Sequence, residues 1–186
     1  MIAFFASLTT IAIAELGDKT QILSLILISR YKKPIPICVG IFLAALLNHF
    51  IAAIIGIWLK SVLTPDILRW IISFSFLVGA LWMLWPEKAD TSIASTKTHS
   101  IFLTTFVAIF LAELGDKTQL LTMTLAAHFG SLFPVVMGSS LGLLASNLPA
   151  VFFGYHIPKH VPMIWVKYGS AVVFVILAIV TFMLKG

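Results

Sequence analysis

The sequence Glu15-Leu16-Gly17-Asp18-Lys19-Thr20-Gln21 occurs a second time, unchanged, at residues 113–119. Both copies lie inside long apolar runs, where insertion scales place an Asp or Lys at the bilayer centre at roughly +2.5 to +3.5 kcal/mol each. Three charged residues per copy, six in all, would add roughly 15–20 kcal/mol to the free energy of membrane insertion if these values summed. A duplicated motif of this cost predicts a functional site built from two related halves.

The composition of the chain is that of a membrane protein. Of its 186 residues, 60% are hydrophobic and only 10% are charged, whereas soluble domains carry about 25% charged residues. The formal net charge is +5, but the basic residues lie in short loops rather than along one amphipathic helix. This distribution favours contact with anionic lipid headgroups and not with nucleic acid. We therefore expect an all-α protein of the lipid bilayer.

Six stretches of the sequence are long enough to span a membrane, since a spanning helix needs about 20 mostly apolar residues. Short polar or proline-containing segments separate them. The first stretch lacks a basic region and contains Glu15 and Asp18, so we expect it to be retained as a helix and not cleaved as a signal peptide. The predicted spans are residues 2–29, 35–59, 66–86, 101–127, 134–154 and 163–184.

The two halves of the chain align without gaps at an offset of 98 residues. Matching glycines and prolines make a duplication the natural interpretation. These matches are Pro36 with Pro134, Gly40 with Gly138, and Gly56 with Gly154. The sequence predicts a first repeat at 1–86, a polar linker at 87–100 and a second repeat at 101–186, together one transport domain. Because each half has three predicted spans, an odd number, we expect six transmembrane helices in a 3+3 inverted-topology repeat.

Lysine and arginine residues are distributed unevenly between the two predicted sides of the membrane. One side holds seven, namely Arg30, Lys32, Lys33, Lys88, Lys97, Lys159 and Lys167. The other side holds three, namely Lys60, Arg69 and Lys185. Since the more basic side usually faces the cytoplasm, we expect a protein of the cytoplasmic (inner) membrane with both termini outside.

The duplicated motif has the chemistry of a site for a hard cation. On a continuous helix, residues i, i+3 and i+4 share a face, so Glu15, Asp18 and Lys19 are predicted within about 100° of arc. The corresponding residues of the second copy are Glu113, Asp116 and Lys117. If the two helices meet, four carboxylates and two lysines sum to a charge of −2, which one divalent cation or two protons would neutralise. Carboxylate, carbonyl and hydroxyl oxygens suit calcium, manganese and magnesium.

Further oxygen atoms follow each acidic pair along the chain. The predicted metal ligands are Glu15, Asp18, Thr20, Gln21, Glu113, Asp116, Thr118 and Gln119, with Lys19 and Lys117 as site lysines. Gly17 and Gly115 permit either close helix approach or a local break that exposes carbonyl groups. Mutual repulsion favours protonation of clustered carboxylates and a bound metal favours their ionisation, so the two ligands would compete as exchange requires. The structural alternative, two internal salt bridges, leaves one acidic residue per copy unexplained.

Two further sets of residues carry predictions about packing. Asn48 and His49, with Ser146 and Asn147 at the equivalent positions, are expected to bond between helices, with a role beside the site as the alternative. The stripes Gly40-xxx-Ala44 and Gly138-xxx-Gly142 predict close-packing helix faces.

The motif E-x-G-D-[KR]-[ST], present twice in a small six-span protein, resembles the signature of the GDT family. This family includes calcium/manganese–proton exchangers of the eukaryotic Golgi and manganese exporters of bacteria. The resemblance implies that Glu15, Asp18, Glu113 and Asp116 are the acidic site residues, and Lys19, Thr20, Lys117 and Thr118 complete both motifs. The chain is similar to the short bacterial type rather than to eukaryotic members, which carry a long N-terminal extension and a larger central loop.

The leading prediction is a secondary transporter that exchanges manganese, calcium or both for protons, with manganese export as its role. It is not expected to be an enzyme or to hold a resident cofactor, because the metal is the transported ion. The alternatives are an exporter of a small organic cation such as a basic amino acid, or a passive cation channel. An intramembrane lipid phosphatase would need a phosphate-binding arginine at the site, and Arg30 and Arg69 lie at span ends. The oligomeric state is left open.

Overall fold

The computed structural model describes residues 1–84, 100–153 and 163–183, and these ranges are entirely helical apart from short turns. A helix satisfies its main-chain hydrogen bonds internally, which suits a chain this apolar in lipid. The eight helices of these ranges are α1 (Ile2–Ala14), α2 (Lys19–Tyr31), α3 (Pro34–Val62), α4 (Pro65–Leu84), α5 (Ile101–Glu113), α6 (Lys117–Phe129), α7 (Leu132–Phe153) and α8 (Met163–Met183). The predicted all-α class is confirmed for the described residues.

The prediction of continuous helices over the first and fourth spans is wrong. Helices α1 and α2 are separated by residues 15–18, and α5 and α6 by residues 114–116. The acidic residues of each motif therefore flank a break in the helix instead of sharing one continuous helical face. Gly17 and Gly115 were compatible with close helix approach or with a local break, and the structure has the local break.

Glycine makes both breaks possible. Gly17 and Gly115 have φ angles of 77° and 74°, in the left-handed region where a residue with a Cβ is strained. The N–H of each glycine donates to the side-chain oxygen of the glutamine four residues later, at 3.1 Å for Gln21 and 3.0 Å for Gln119. Each break thus keeps this main-chain donor satisfied, as the interior of a membrane protein requires.

Three of the described helices are long and apolar enough to cross a membrane on their own. They are α3, the Pro65–Trp82 part of α4, and α7. Helices α1 and α5 and the Ala171–Met183 part of α8 are apolar but shorter. The breaks explain the shortness of α1 and α5, because each helix makes up only half of a predicted span.

The long helices α3 and α7 form the centre of the packing and contact each other. Helices α1 and α2 pack on α7, helices α5 and α6 pack on α3, and α4 packs on α8. Each broken helix therefore lies against the long helix from the other half of the sequence. This reciprocal packing of the two halves brings the two motifs together between α3 and α7.

Glycines on α3 and α7 allow this close approach. A Cβ on Gly40 would lie only 2.8 Å from the Cβ of Thr105 in α5, and a Cβ on Gly138 would overlap the carbonyl group of Phe4 in α1. Neither position leaves room for a larger residue unless the helices separate. The predicted close-packing faces that begin at these two glycines are confirmed.

The outer surface of the helices is strongly apolar. Trp58, Phe74 and Leu81 are 61%, 65% and 63% exposed, respectively. Soluble monomers rarely expose extended apolar patches, whereas acyl chains cover such a surface in a bilayer. The exposure pattern therefore fits a membrane protein.

Several predictions concern residues outside the described ranges. The linker at 87–100 lies there except for Ser100, as do the C-terminal ends of the third, fifth and sixth predicted spans. The basic residues in this class are Lys88, Lys97, Lys159 and Lys185. The repeat boundaries at 1–86 and 101–186 stay predictions.

Candidate metal centre

Four buried carboxylates, two from each motif, converge where the helix breaks meet. Glu15, Asp18, Glu113 and Asp116 each offer one oxygen atom, and these oxygens all lie within 4.8 Å of one another. No residue of the four is more than 3% exposed. Carboxylates this close and this deep repel one another unless protons or cations neutralise them. The structure thus brings together the two acidic pairs that lie far apart in the sequence.

Each motif lysine pairs with the aspartate of the other motif. Lys19 Nζ lies 3.0 Å from Asp116 Oδ1, and Lys117 Nζ donates to Asp18 Oδ1. Lys117 Nζ also lies 3.8 Å from Asp116 Oδ2. The two salt bridges of the structural alternative are therefore present, but their acidic partners are the aspartates. Glu15 and Glu113 take no part in these two salt bridges.

Threonine hydroxyl groups orient the two glutamates. Thr20 Oγ1 donates to Glu15 Oε2 and Thr118 Oγ1 donates to Glu113 Oε2, both at 2.6 Å. The second oxygen of each glutamate, Oε1, is buried and accepts no hydrogen bond from the described residues. Because buried polar atoms in proteins nearly always have a partner, these two oxygens could accept a proton or a metal ion.

The amide groups of the two motif glutamines are already engaged. Gln21 Nε2 donates to the main-chain oxygen of Ser146 in α7 at 2.7 Å, and Gln119 Nε2 donates to Oδ1 of Asn48 in α3 at 3.0 Å. Their side-chain oxygens accept from the glycines of the breaks. These contacts give the glutamines a role in holding each break onto its neighbouring helix, beside the predicted role as metal ligands.

Polar residues of α3 and α7 form the predicted bonds between helices. The contacts are Asn48 Nδ2 to Phe110 O at 3.1 Å, Ser24 Oγ to Asn147 Oδ1 at 2.8 Å, and His49 Nδ1 to Ser140 Oγ at 3.4 Å. They connect α3 with α5, α2 with α7, and α3 with α7. Interhelical bonding is therefore confirmed for the side chains of Asn48, His49 and Asn147. The prediction is wrong for the Ser146 side chain, whose hydroxyl donates to Leu143 O within α7. Asn48 Oδ1 also accepts from Gln119 of the second motif at 3.0 Å, so the alternative, a position beside the site, holds for Asn48 as well.

A cavity of about 340 Å³ reaches the cluster from the side of α3 and α4. Its lining comprises Ile51, Ala52, Ile55, Trp82, Gly115, Asp116, Gln119, Leu120 and Met123. Most of these side chains are apolar, and Ile51 and Ile55 are 42% and 44% exposed on the outer surface. Such a lining does not stabilise a hydrated cation, so we do not assign this cavity as the route of an ion.

The donor atoms of the cluster suit one class of metal. The cluster consists of carboxylates alone, with no His or Cys among the described residues that compose it, and such oxygen atoms suit manganese, calcium and magnesium. Arg30 lies in the last turn of α2, and Arg69 pairs with Asp66 near the start of α4 at 3.6 Å. Neither arginine is placed at the cluster as a lipid phosphatase would require.

Comparison with known proteins agrees with this chemistry. The family described as "Divalent cation/proton antiporter GDT1" matches residues 3–91 and 101–185. A Vibrio cholerae protein named "Putative manganese exporter" is 45% identical over 176 residues, which cover 94% of this chain and 88% of that protein. A GDT1-like protein of Synechocystis is 26% identical over 204 residues, or 98% of each chain. GDT1-like protein 5 of Arabidopsis thaliana is 24% identical over 214 residues, covering 95% of this chain and 93% of that protein. No solved structure matches the chain.

The family match extends over nearly the whole chain, and the matched ranges contain residues 15–21 and 113–119. The resemblance indicated by the motif is therefore confirmed, and the family is one of transporters rather than enzymes. The chain belongs to the GDT1 family of divalent cation/proton antiporters.

Proposed function

We propose that this protein exports manganese across the cytoplasmic membrane in exchange for protons, with Glu15, Asp18, Glu113 and Asp116 as the metal ligands. One observation carries the proposal: the four buried carboxylates offer oxygens within 4.8 Å of one another. Membership of an antiporter family supplies the exchange of a divalent cation for protons. The name of the Vibrio cholerae relative supports manganese as the cargo.

The proposed ligand set divides the work between the residues of each motif. Glu15 and Glu113 bind the cation through their Oε1 atoms, while Thr20 and Thr118 hold the Oε2 atoms. The aspartates complete the set, and the crossed lysines reduce the charge of the empty cluster. Gln21 and Gln119 contribute mainly by holding the breaks in place. No resident cofactor is needed, because the metal is the substrate.

Exchange follows because metal and protons compete for the same oxygen atoms. A divalent cation and a proton cannot occupy one carboxylate oxygen together, so arrival of one expels the other. A site enclosed by α3 and α7 must then open to each side of the membrane in turn. Relative movement of the two halves provides this alternating access in many secondary transporters.

We further propose six membrane crossings in a 3+3 inverted repeat, with the first and fourth crossings broken. Each of two equivalent helices packs on the long helix of the other half, α1 on α7 and α5 on α3. This reciprocal packing supports a two-fold relation between the halves. Broken helices with a site at the break are typical of secondary transporters built from inverted repeats. The excess of lysine and arginine on one predicted side supports an orientation with both termini outside.

Proteoliposomes containing a pH-sensitive dye test the proposed exchange. We expect external manganese or calcium, but not magnesium, to drive proton release, because Mg²⁺ gives up its water shell reluctantly. Asp18→Asn and Asp116→Asn should abolish this signal. The matched control is Asp66→Asn, since the Asp66 side chain is 86% exposed and lies outside the cluster; this variant should transport normally.

Other outcomes would reject parts of the proposal. Cation flux without proton movement would identify a passive channel. Proton release driven by arginine or lysine in the medium, with none driven by manganese, would identify an exporter of organic cations. Full transport by both aspartate variants would remove the carboxylate cluster as the site.

A further inference from the structure

The two breaks are not held equally, although their sequences are identical. Asn48 of α3 reaches both sides of the α5–α6 break. Its Nδ2 donates to the carbonyl of Phe110 at 3.1 Å, before the break, and its Oδ1 accepts from Gln119 at 3.0 Å, after the break. One side chain from a long, well-packed helix therefore ties together the two ends of this interruption.

The equivalent residue of α7 does not make this bridge. At the offset of 98 residues, Ser146 takes the place of Asn48. Its hydroxyl donates to Leu143 O within its own helix at 2.8 Å, and only its main-chain oxygen accepts from Gln21, at 2.7 Å. A serine has no amide group with which to join the two sides of a break. Ser146 thus holds the α1–α2 break from the α2 side alone.

Burial along α2 and α6 differs in the same direction, although at the breaks themselves Leu114 is more exposed than Leu16, at 51% against 40%. The side chain of Lys19, at the start of α2, is 21% exposed, whereas that of Lys117, at the start of α6, is 3% exposed. Further along, Thr124 of α6 is buried, while the equivalent Ile26 of α2 is only partly buried. Segments with less burial open at lower free energy. Helix α2 is therefore less deeply buried than the equivalent helix α6.

We propose that Asn48 is a positioning residue that fixes the α5–α6 break, so that α2 makes the larger movement when the site opens and closes. This inference rests on the proposed exchange at the carboxylate cluster. Glu113 and Asp116 then form a preorganised part of the site, and Glu15 and Asp18 move with the α1–α2 break. Preorganised ligands bind more tightly because less order must be created on binding.

Exchanging the two equivalent residues tests the assignment through transport kinetics. In Asn48→Ser the second break loses both amide contacts, so KM for manganese should rise roughly five- to tenfold with Vmax nearly unchanged, as expected for one or two lost hydrogen bonds. In Ser146→Asn the first break gains an amide, so Vmax should fall several-fold with KM nearly unchanged. Ser146→Leu has similar bulk without the amide and separates the effect of the amide from that of size.

Hydrogen–deuterium exchange gives a readout that a purely structural role would not produce. In the wild type without metal, peptides covering residues 15–19 should exchange faster than peptides covering residues 113–117. In Asn48→Ser the second peptide should approach the rate of the first. This measurement uses the wild-type protein, so it decides the matter even if a variant fails to fold.

Two results would overturn the inference. The first is equal exchange at the two breaks in the wild type. The second is a parallel change of KM and Vmax in both Asn48→Ser and Ser146→Asn. Failure of wild-type liposomes to couple manganese to protons would instead reject the proposed function, and exchange measured on the purified protein would still report which break is fixed.

Discussion

The ammonium group of Lys19 lies 3.0 Å from a carboxylate oxygen of Asp116, so a residue of the first motif neutralises a residue of the second. Lys117 and Asp18 form the reciprocal pair. Because both ion pairs join the two halves of the chain, the site exists only where the motifs meet. The pairs also make a cluster of carboxylates tolerable in the membrane, since an unpaired buried charge is strongly destabilising.

The two lysines should differ in their contribution to stability. Lys117→Gln leaves Asp18 buried without its main counter-charge, and breaking a buried ion pair costs about 3–5 kcal/mol. The Lys19 side chain is 21% exposed, so Lys19→Gln should lower the free energy of unfolding by less. Thermal unfolding of the purified variants measures the difference. Lys19→Arg and Lys117→Arg, which keep the charge, serve as controls, and equal loss in the two glutamine variants would contradict the prediction.

Loss of a threonine hydroxyl should weaken metal binding. Thr20→Val and Thr118→Val keep the shape of the side chain but remove the donor to Glu15 Oε2 or Glu113 Oε2. A hydrogen bond to a charged group contributes about 1.5–3 kcal/mol, so KM for manganese should rise about tenfold or more. Initial rates in proteoliposomes measure this change. Thr→Ser at either position should restore affinity, and an unchanged KM in both valine variants would exclude the proposed orientation of the glutamates.

Binding should be detectable without transport. At a manganese concentration of about one hundred times Kd, a ligand specific for the native state adds about 2.7 kcal/mol to the free energy of unfolding. We expect this stabilisation for the wild type and its reversal by a chelator. Glu113→Gln should lose the effect, because one of the two glutamates with an unengaged oxygen is removed. Asp66→Asn should keep it, and equal stabilisation of all three proteins would place the metal elsewhere.

The sequence was sufficient to predict which residues meet, but not the local backbone. Charged residues duplicated within apolar runs have few low-energy arrangements, and mutual neutralisation inside the protein is one of them. This explains why the convergence of Glu15, Asp18, Glu113 and Asp116 could be anticipated. The glycine stripes were similarly informative, since a helix face without side chains indicates close packing.

The breaks could not be predicted with the same certainty because hydropathy reports the environment of a segment and not its hydrogen bonds. Gly17 was compatible with a continuous helix as well as with a break. The break depends on Gln21, which satisfies the Gly17 N–H, and on α7, whose Ser146 carbonyl accepts from Gln21. Such contacts between distant residues are not visible in local periodicity. For the same reason the sequence left Asn48 open between interhelical bonding and a position beside the site.

Two glycine substitutions should separate backbone strain from loss of helix packing. A Cβ on Gly115 meets no atom within 4 Å, but φ is 74°, so Gly115→Ala should cost only about 1–2 kcal/mol of left-handed strain. Gly115→Asn should cost less, because asparagine tolerates this region.

A Cβ on Gly138 would overlap the Phe4 carbonyl, so Gly138→Ala must force α1 away from α7 and should destabilise more. We expect the lower Tm for Gly138→Ala. Among variants that remain folded, we expect the greater loss of transport per folded molecule for Gly115→Ala, whose break carries Asp116. The reverse order of Tm values would show that the α1–α7 contact adapts easily to added bulk.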